Sequence, residues 1–338
     1  ENNIESVDSS LKGSTAKKDA GIVLQGVLPC PVRVPLLEGF EGWLAKQDDT
    51  YKEDFSYELK AASMGVDWLK EDLKNAVDEH AFSDIFLSAG FDLFFDKNLL
   101  GKYKERHIFK DFTNFTHYNK DFENDYMSLK DPKGEYSMIG VVPAVFLINQ
   151  NVLEGRQLPL SWADVLKPEF ENSVSLPVGD FDLFNAILLN IFKAYGEEGI
   201  RNLRRSFYVN LHPSEMVKSH TKRIQPTITI MPYFFTKTVR EGGPMVAVWP
   251  SDGAIISPIF MLTKASKEKE VQPIVDFFAS KEVGEILSHN GRFPSIHPDV
   301  DNQVPANQMY MWIGWDYINS NDIAVLIEHC TDIFEGRK

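Results

Sequence analysis

Residues 246–262 constrain the fold of this chain more than any other stretch. They read as an apolar strand, a Pro250-Ser251-Asp252-Gly253 turn, and a second apolar strand that runs on to Leu262. None of these residues forms a nucleophile site, a metal cage or a phosphate loop. A second run, 136–149, is also apolar and too continuous for an exposed strand, so it is expected to be buried on both faces.

Strand and helix patterns alternate around these two runs. Strands are expected at 21–28, 57–63, 84–87, 173–177 and 227–232. Leu36, Leu37, Phe40, Trp43 and Leu44 recur at helical spacing. Further helices are expected at 67–80, 181–195, 196–208, 213–222, 269–280, 281–290 and 321–334, with Ser161 capping a short one before Leu166. Alternation of this kind indicates an α/β protein with largely parallel strands. Residues 103–132, rich in Lys, Asp, Asn and aromatics, read as a surface excursion.

A chain of 338 residues is long for one core and comfortable for two. Its net charge of −14 argues against a nucleic-acid partner. No run approaches the roughly 18 apolar residues that a membrane span needs. Cys30 and Cys330 sit near opposite ends of the sequence and define no disulfide framework, so both are expected to be unpaired. The first twenty residues are polar and aperiodic and read as a flexible tether, which would suit a mature lipoprotein.

Enzyme signatures do not appear. The chain has no Gly-x-Ser-x-Gly elbow, no phosphate-binding Gly-rich loop, no His-Glu-x-x-His and no Cys-x-x-Cys. Its carboxylates form no recognisable pair, so no catalytic residue and no cofactor is assigned.

Three passages carry a family resemblance. The first is Leu147-Ile148-Asn149 followed by Leu160-Ser161-Trp162-Ala163-Asp164-Val165-Leu166. The second is Trp249-Pro250-Ser251-Asp252-Gly253 followed by Ile256-Ser257-Pro258. The third is the helical stretch 265–294, which ends in Gly291-Arg292-Phe293-Pro294. In this order the chain resembles the extracellular solute-binding proteins of ABC importers, in the type II periplasmic-binding fold that includes ferric-iron and phosphonate binders.

The resemblance implies a two-lobed α/β fold of mixed sheets with flanking helices, joined by two crossing hinge strands near 136–149 and 246–262. Lobe one is expected over 21–135 plus 260–338, lobe two over 136–259. A small solute (iron or an iron chelate, a phosphonate or another small anion) would be held in the interlobe cleft, enclosed by a hinge motion and handed to a membrane permease. The protein would then be a monomer outside the cytoplasm, in the periplasm or at the cell surface, with no catalysis. Two other readings are a deaminase-like α/β transferase and a ligand-sensing partner of a membrane receptor. The transferase needs a cofactor-bearing cysteine and an arginine-rich cleft, and the early Cys30 and scarce arginines argue against it.

In open α/β sheets ligands bind beyond the carboxyl ends of strands, where helix N-termini offer free N–H groups. That places candidate ligand contacts at Cys30 and Arg33, at Ser88, Ala89 and Gly90, at Gly179 and Asp180, and at Tyr233. The crossing adds Trp249 and Asp252. Iron-binding relatives present two adjacent tyrosines near the position of Tyr233, whereas Phe234 and Phe235 have no donor atom here. This departure disfavours bare ferric iron. His212, Met216 and His220 share a helical spacing and with Cys30 would make a soft-metal set. Pro213 fits the first turn of a helix and puts His212 outside it, so an ordinary solvated helix is preferred.

Overall fold

The structure is a computed structural model, and it describes residues 21–210 and 213–337. The tether expected over 1–20 and His212 lie outside the described residues. Among those described, the strands in chain order are β1 (Ile22–Leu28), β2 (Phe55–Ala61), β3 (Ile85–Ala89), β4 (Ser137–Asn149), β5 (Val174–Ser175), β6 (Phe207–Val209), β7 (Ile228–Pro232), β8 (Met245–Val248), β9 (Ala254–Thr263) and β10 (Tyr310–Met311). The longer helices are α1 (Arg33–Ala45), α2 (Asp67–Lys74), α3 (Phe181–Ser206), α4 (Glu268–Phe278) and α5 (Ile323–Phe334).

The chain divides into two compact units. Unit 1 holds residues up to Val141 together with Pro258–Gln303, and unit 2 holds Val142–Ser257 together with Val304–Lys338. The first two boundaries fall inside β4 and β9, the two long apolar runs of the sequence, and every residue of both strands is buried. A third boundary follows Gln303.

In unit 1, β1 pairs in parallel with β2 and β3, and β9 runs antiparallel to β3. Helix α1 covers the sheet through Leu36, Leu37 and Phe40. The Phe40 ring lies 4.9 Å from Tyr57 on β2 and 5.9 Å from Phe278 on α4, so helix, strand and helix share one aromatic seam. Burying a ring of this size stabilises by about 1.5–3 kcal/mol. Residues 103–132 are more than a surface excursion. Tyr103, Phe109, Phe112, Phe122 and Leu129 are buried, and the Asn119 amide donates to the carbonyls of His297 at 2.8 Å and Val300 at 2.7 Å. The interspersed aromatics anchor the segment, and Asp131, also buried, accepts from the Glu135 and Tyr136 N–H groups at 2.9 Å each.

In unit 2, β4 is flanked by β7 and β8, both antiparallel to it, while β5 runs parallel to β7 and β6. The indole of Trp162 is fully buried and meets Phe146 of β4 edge-on at 4.9 Å. Helix α3 spans both helices expected at 181–208, and it breaks where expected, at Gly196, whose φ of 69° suits glycine.

The C-terminal segment departs from the expected boundaries. Residues 304–338 belong to unit 2, not to the lobe of residues 21–135. Helix α5 packs on α3, with Phe334 meeting Phe184 at 5.2 Å and Phe207 at 5.5 Å. Strand β10 joins the same unit by pairing with Ala254 and Ile255. An apolar stripe announces that a helix docks, and it does not name the surface that receives it.

Candidate functional site

In unit 1, β1 and β3 are parallel with Gly26 opposite Leu87, so the loops after Leu28 and Ala89 leave the same edge of the sheet. Cys30 is exposed and opens a 3-10 turn, Cys30–Val32, that leads straight into Arg33 at the start of α1. Ser88 is different. It is fully buried, and its hydroxyl donates to the Ala89 carbonyl at 3.0 Å. Gly90 is buried too; its φ of 97° requires glycine, and its N–H donates to Pro258 at 3.0 Å. Of this loop, Ala89 is the residue partly open to solvent.

In unit 2, β7 and β8 flank β4 in the same direction, with Ile230 and Val248 both opposite Phe146. Their following residues therefore emerge at one edge. Tyr233 follows β7 and Trp249 follows β8, and the two rings meet edge-to-face at 5.2 Å. Trp249 also meets Tyr310 edge-on at 5.4 Å, and its indole N–H donates to the Met309 carbonyl at 2.6 Å. Tyr233 begins a 3-10 turn, Tyr233–Thr238, pinned by the Thr236 hydroxyl donating to the Tyr233 carbonyl at 2.6 Å. Val145, Leu147 and Met231 back this aromatic group from the core.

Gly179 and Asp180 follow β5, which is parallel to β7, and both are exposed. The Asp180 carboxylate is the N-cap of α3, accepting from Leu183 N–H at 3.5 Å. Asp252 takes a structural role. Its two oxygens accept from the Trp162 N–H at 3.1 Å each, which caps the helix Trp162–Val165 beside Ser161. Burial holds the Asp252 carboxyl above the usual carboxylate range, and the backbone N–H groups of Trp162 and Ala163 pull it back down.

The soft-metal set does not assemble among the described residues. Met216 is buried in the core of unit 2. No group of three or more His, Cys, Asp and Glu side chains suited to a metal ion occurs among the described residues. Tyr310 escaped the sequence reading; the alternation at Tyr310-Met311-Trp312 was its only signal, and just two residues of it form a strand.

A family model of bacterial extracellular solute-binding proteins matches residues 80–321. The chain belongs to this family. No curated protein matches it. Solved structures do. The ferric binding protein of Campylobacter jejuni superposes with a TM-score of 0.63 at 13% identity, covering 93% of this chain and 98% of that one. Iron-bound HitA from Pseudomonas aeruginosa gives 0.64 at 10% identity, covering 92% and 98%. A Trichodesmium protein (IdiA, FutA) in complex with iron and citrate gives 0.57 at 12% identity, covering 93% and 97%.

At these identities the structural likeness speaks for the fold, the mixed α/β periodic order of a periplasmic-binding protein. Members of the family bind solutes outside the cytoplasm, and this solute-binding protein has the same assignment. Among the described residues no helix is long and apolar enough to cross a membrane.

Proposed function

We propose that this protein captures an iron chelate (ferric iron carried with a small organic anion) and delivers it as a monomer to the permease of an ABC importer, without catalysis. Solute contacts are made by the loops at the carboxyl ends of the strands. The observation that supports this reading most is the Tyr233–Trp249 pair, which sets one phenol at the edge of unit 2 against a rigid aromatic neighbour. A phenolate is a hard oxygen donor suited to a hard cation. Phe234 and Phe235 supply no second phenol, so an organic anion completes the iron's oxygen shell. The structural neighbours, described as ferric-binding proteins and in one case as holding iron and citrate, point the same way.

The test is a titration of ligand-stripped protein with ferric citrate, ferric nitrilotriacetate and citrate alone, followed by tryptophan fluorescence and visible absorption. Ferric citrate is expected to quench Trp249 and to produce a phenolate-to-iron charge-transfer band that Tyr233→Phe removes. Tight binding of citrate alone with no band would instead make the solute an anion without iron.

A further inference from the structure

Unit 1 contains a cavity of about 600 Å3, within the size range of small-molecule sites. It lies at the sheet edge opposite the Cys30 and Ser88 loops. Val23 and Gln25 at the start of β1, Ser83 and Asp84 just before β3, and Lys264 just after β9 all line it.

The floor is charged and buried. Lys264 and Asp84 side chains are each 8% exposed, with Nζ and Oδ1 3.3 Å apart. The other Asp84 oxygen accepts from Val23 N–H at 2.9 Å. The Lys264 ammonium also donates to the Phe82 carbonyl at 2.8 Å. The same ammonium lies over the Phe82 ring, 4.9 Å from its centroid. Burial lowers the Lys264 pKa, and the Asp84 carboxylate counteracts this. An ion pair taken out of water costs desolvation energy that its own attraction seldom returns. Here the pair borders a space large enough for a ligand that could use it.

One wall is a preset hydrogen-bond chain. Ser83 Oγ donates to Gln25 Oε1 at 2.6 Å, and Gln25 Nε2 donates to Asp72 Oδ2 at 3.1 Å. The chain fixes the Asp72 carboxylate at the cavity, with Glu79 also lining it. Lys267 lines the cavity as well and donates to the Gly21 carbonyl at 3.3 Å. Trp68, Leu73 and Ile108 supply apolar surface.

We propose that this cavity is a second binding site, distinct from the solute loops, and that it takes a zwitterionic amino acid with an apolar side chain. The ligand carboxylate meets the positive charge of Lys264 and Lys267. The ligand ammonium meets Asp72 and Glu79. The apolar side chain lies against Trp68, Leu73 and Ile108. Both charge signs are present within one cavity, and that selects a zwitterion over a simple anion or cation.

The experiment is calorimetric titration of the whole protein with L-leucine, N-acetyl-L-leucine and L-leucinamide. L-leucine is expected to bind saturably, and each blocked form, lacking one charge, to bind at least about tenfold more weakly. Lys264→Met risks the fold by leaving Asp84 without its cation, so Trp68→Ala and Glu79→Gln, at partly exposed positions, serve as the site probes. Each is expected to weaken L-leucine about tenfold or more, while Tyr233→Phe leaves it unchanged. Three results would overturn the proposal: no saturable L-leucine binding at millimolar concentration, equal binding of the blocked forms, or loss with Tyr233→Phe but not with Trp68→Ala. None of them bears on iron-chelate capture, which Trp68→Ala leaves intact.

Discussion

Asp252 grips the backbone N–H of Trp162 with both carboxylate oxygens, each at 3.1 Å, although 90 residues separate the two. Trp162 returns the tie, its indole N–H donating to the Gly253 carbonyl at 2.8 Å. The turn that precedes β9 and the first turn of the helix Trp162–Val165 are thus fastened to each other. Asp252→Ala is expected to cost about 1–2 kcal/mol, the value of a lost N-cap. Asp252→Asn keeps one acceptor oxygen and is expected to lose less than half of that. Urea unfolding of the two variants side by side gives the comparison, and equal losses would assign the effect to charge and not to capping.

Gly253 has no room for a side chain. Its φ is 116°, and a Cβ there would lie 2.7 Å from the Tyr310 carbonyl carbon. Both the backbone conformation and the backbone contact oppose substitution. Gly253→Ala is expected to destabilise by about 3 kcal/mol, the upper end of the range for such strain. A melting temperature close to that of the parent protein would show that β10 can move away from the turn.

The two cysteines should differ sharply towards an alkylating agent. Cys30 is exposed, and Cys330 is buried under α3 with its thiol pushed up to about 12 by burial. At neutral pH the Cys330 thiolate is vanishingly scarce, and the thiolate is the reactive species. Iodoacetamide should add once to the native protein and twice in denaturant, as read by intact mass. Two native adducts would mean that α5 opens readily.

Glu135 gives a pH dependence of defined sign. Its side chain is buried in unit 1; Oε1 accepts from Glu105 N–H at 2.8 Å, and Oε2 has no hydrogen-bond partner among the described residues. Burial raises its pKa above the ordinary value, against the Glu105 N–H. A carboxyl whose folded pKa exceeds its unfolded pKa destabilises the fold when ionised. The cost is fully present above the folded pKa, shrinks as pH falls through it, and is gone below the unfolded value near 4.3, roughly that of a free Glu. Glu135→Gln keeps the acceptor oxygen and removes the charge. It should therefore stabilise the protein at neutral pH, with the gain fading on acidification. Chemical-denaturation midpoints across that range provide the measurement, and a gain that grew at low pH would contradict the assignment.

Sequence patterning revealed the frame well where burial is continuous or periodic. Strands β4 and β9 were legible because nearly all of their residues are apolar or small, and the break at Gly196 because a glycine interrupts a helical pattern. The candidate site was legible only as a set of loops after strands. Which loop residues face solvent depends on the pleat and on local bonds, and this is why Ser88 points inward while Ala89 is partly open. Asp252 carries the same lesson. An Asp-Gly pair suggested a turn or a ligand, but its partner is Trp162, a contact of long range that no local pattern encodes. The placement of α5 failed for the same reason, since its stripe fits any apolar surface.

The third boundary, after Gln303, has a consequence during synthesis. Unit 2 is assembled from the middle of the chain and from a stretch made much later. As the polypeptide emerges, Phe184 and Phe207 must wait for Phe334 before their side of the core can close. Unit 1 receives its last segment first, so the two cores can be completed only in sequence, and the second stays unfinished until the 323–334 helix has emerged.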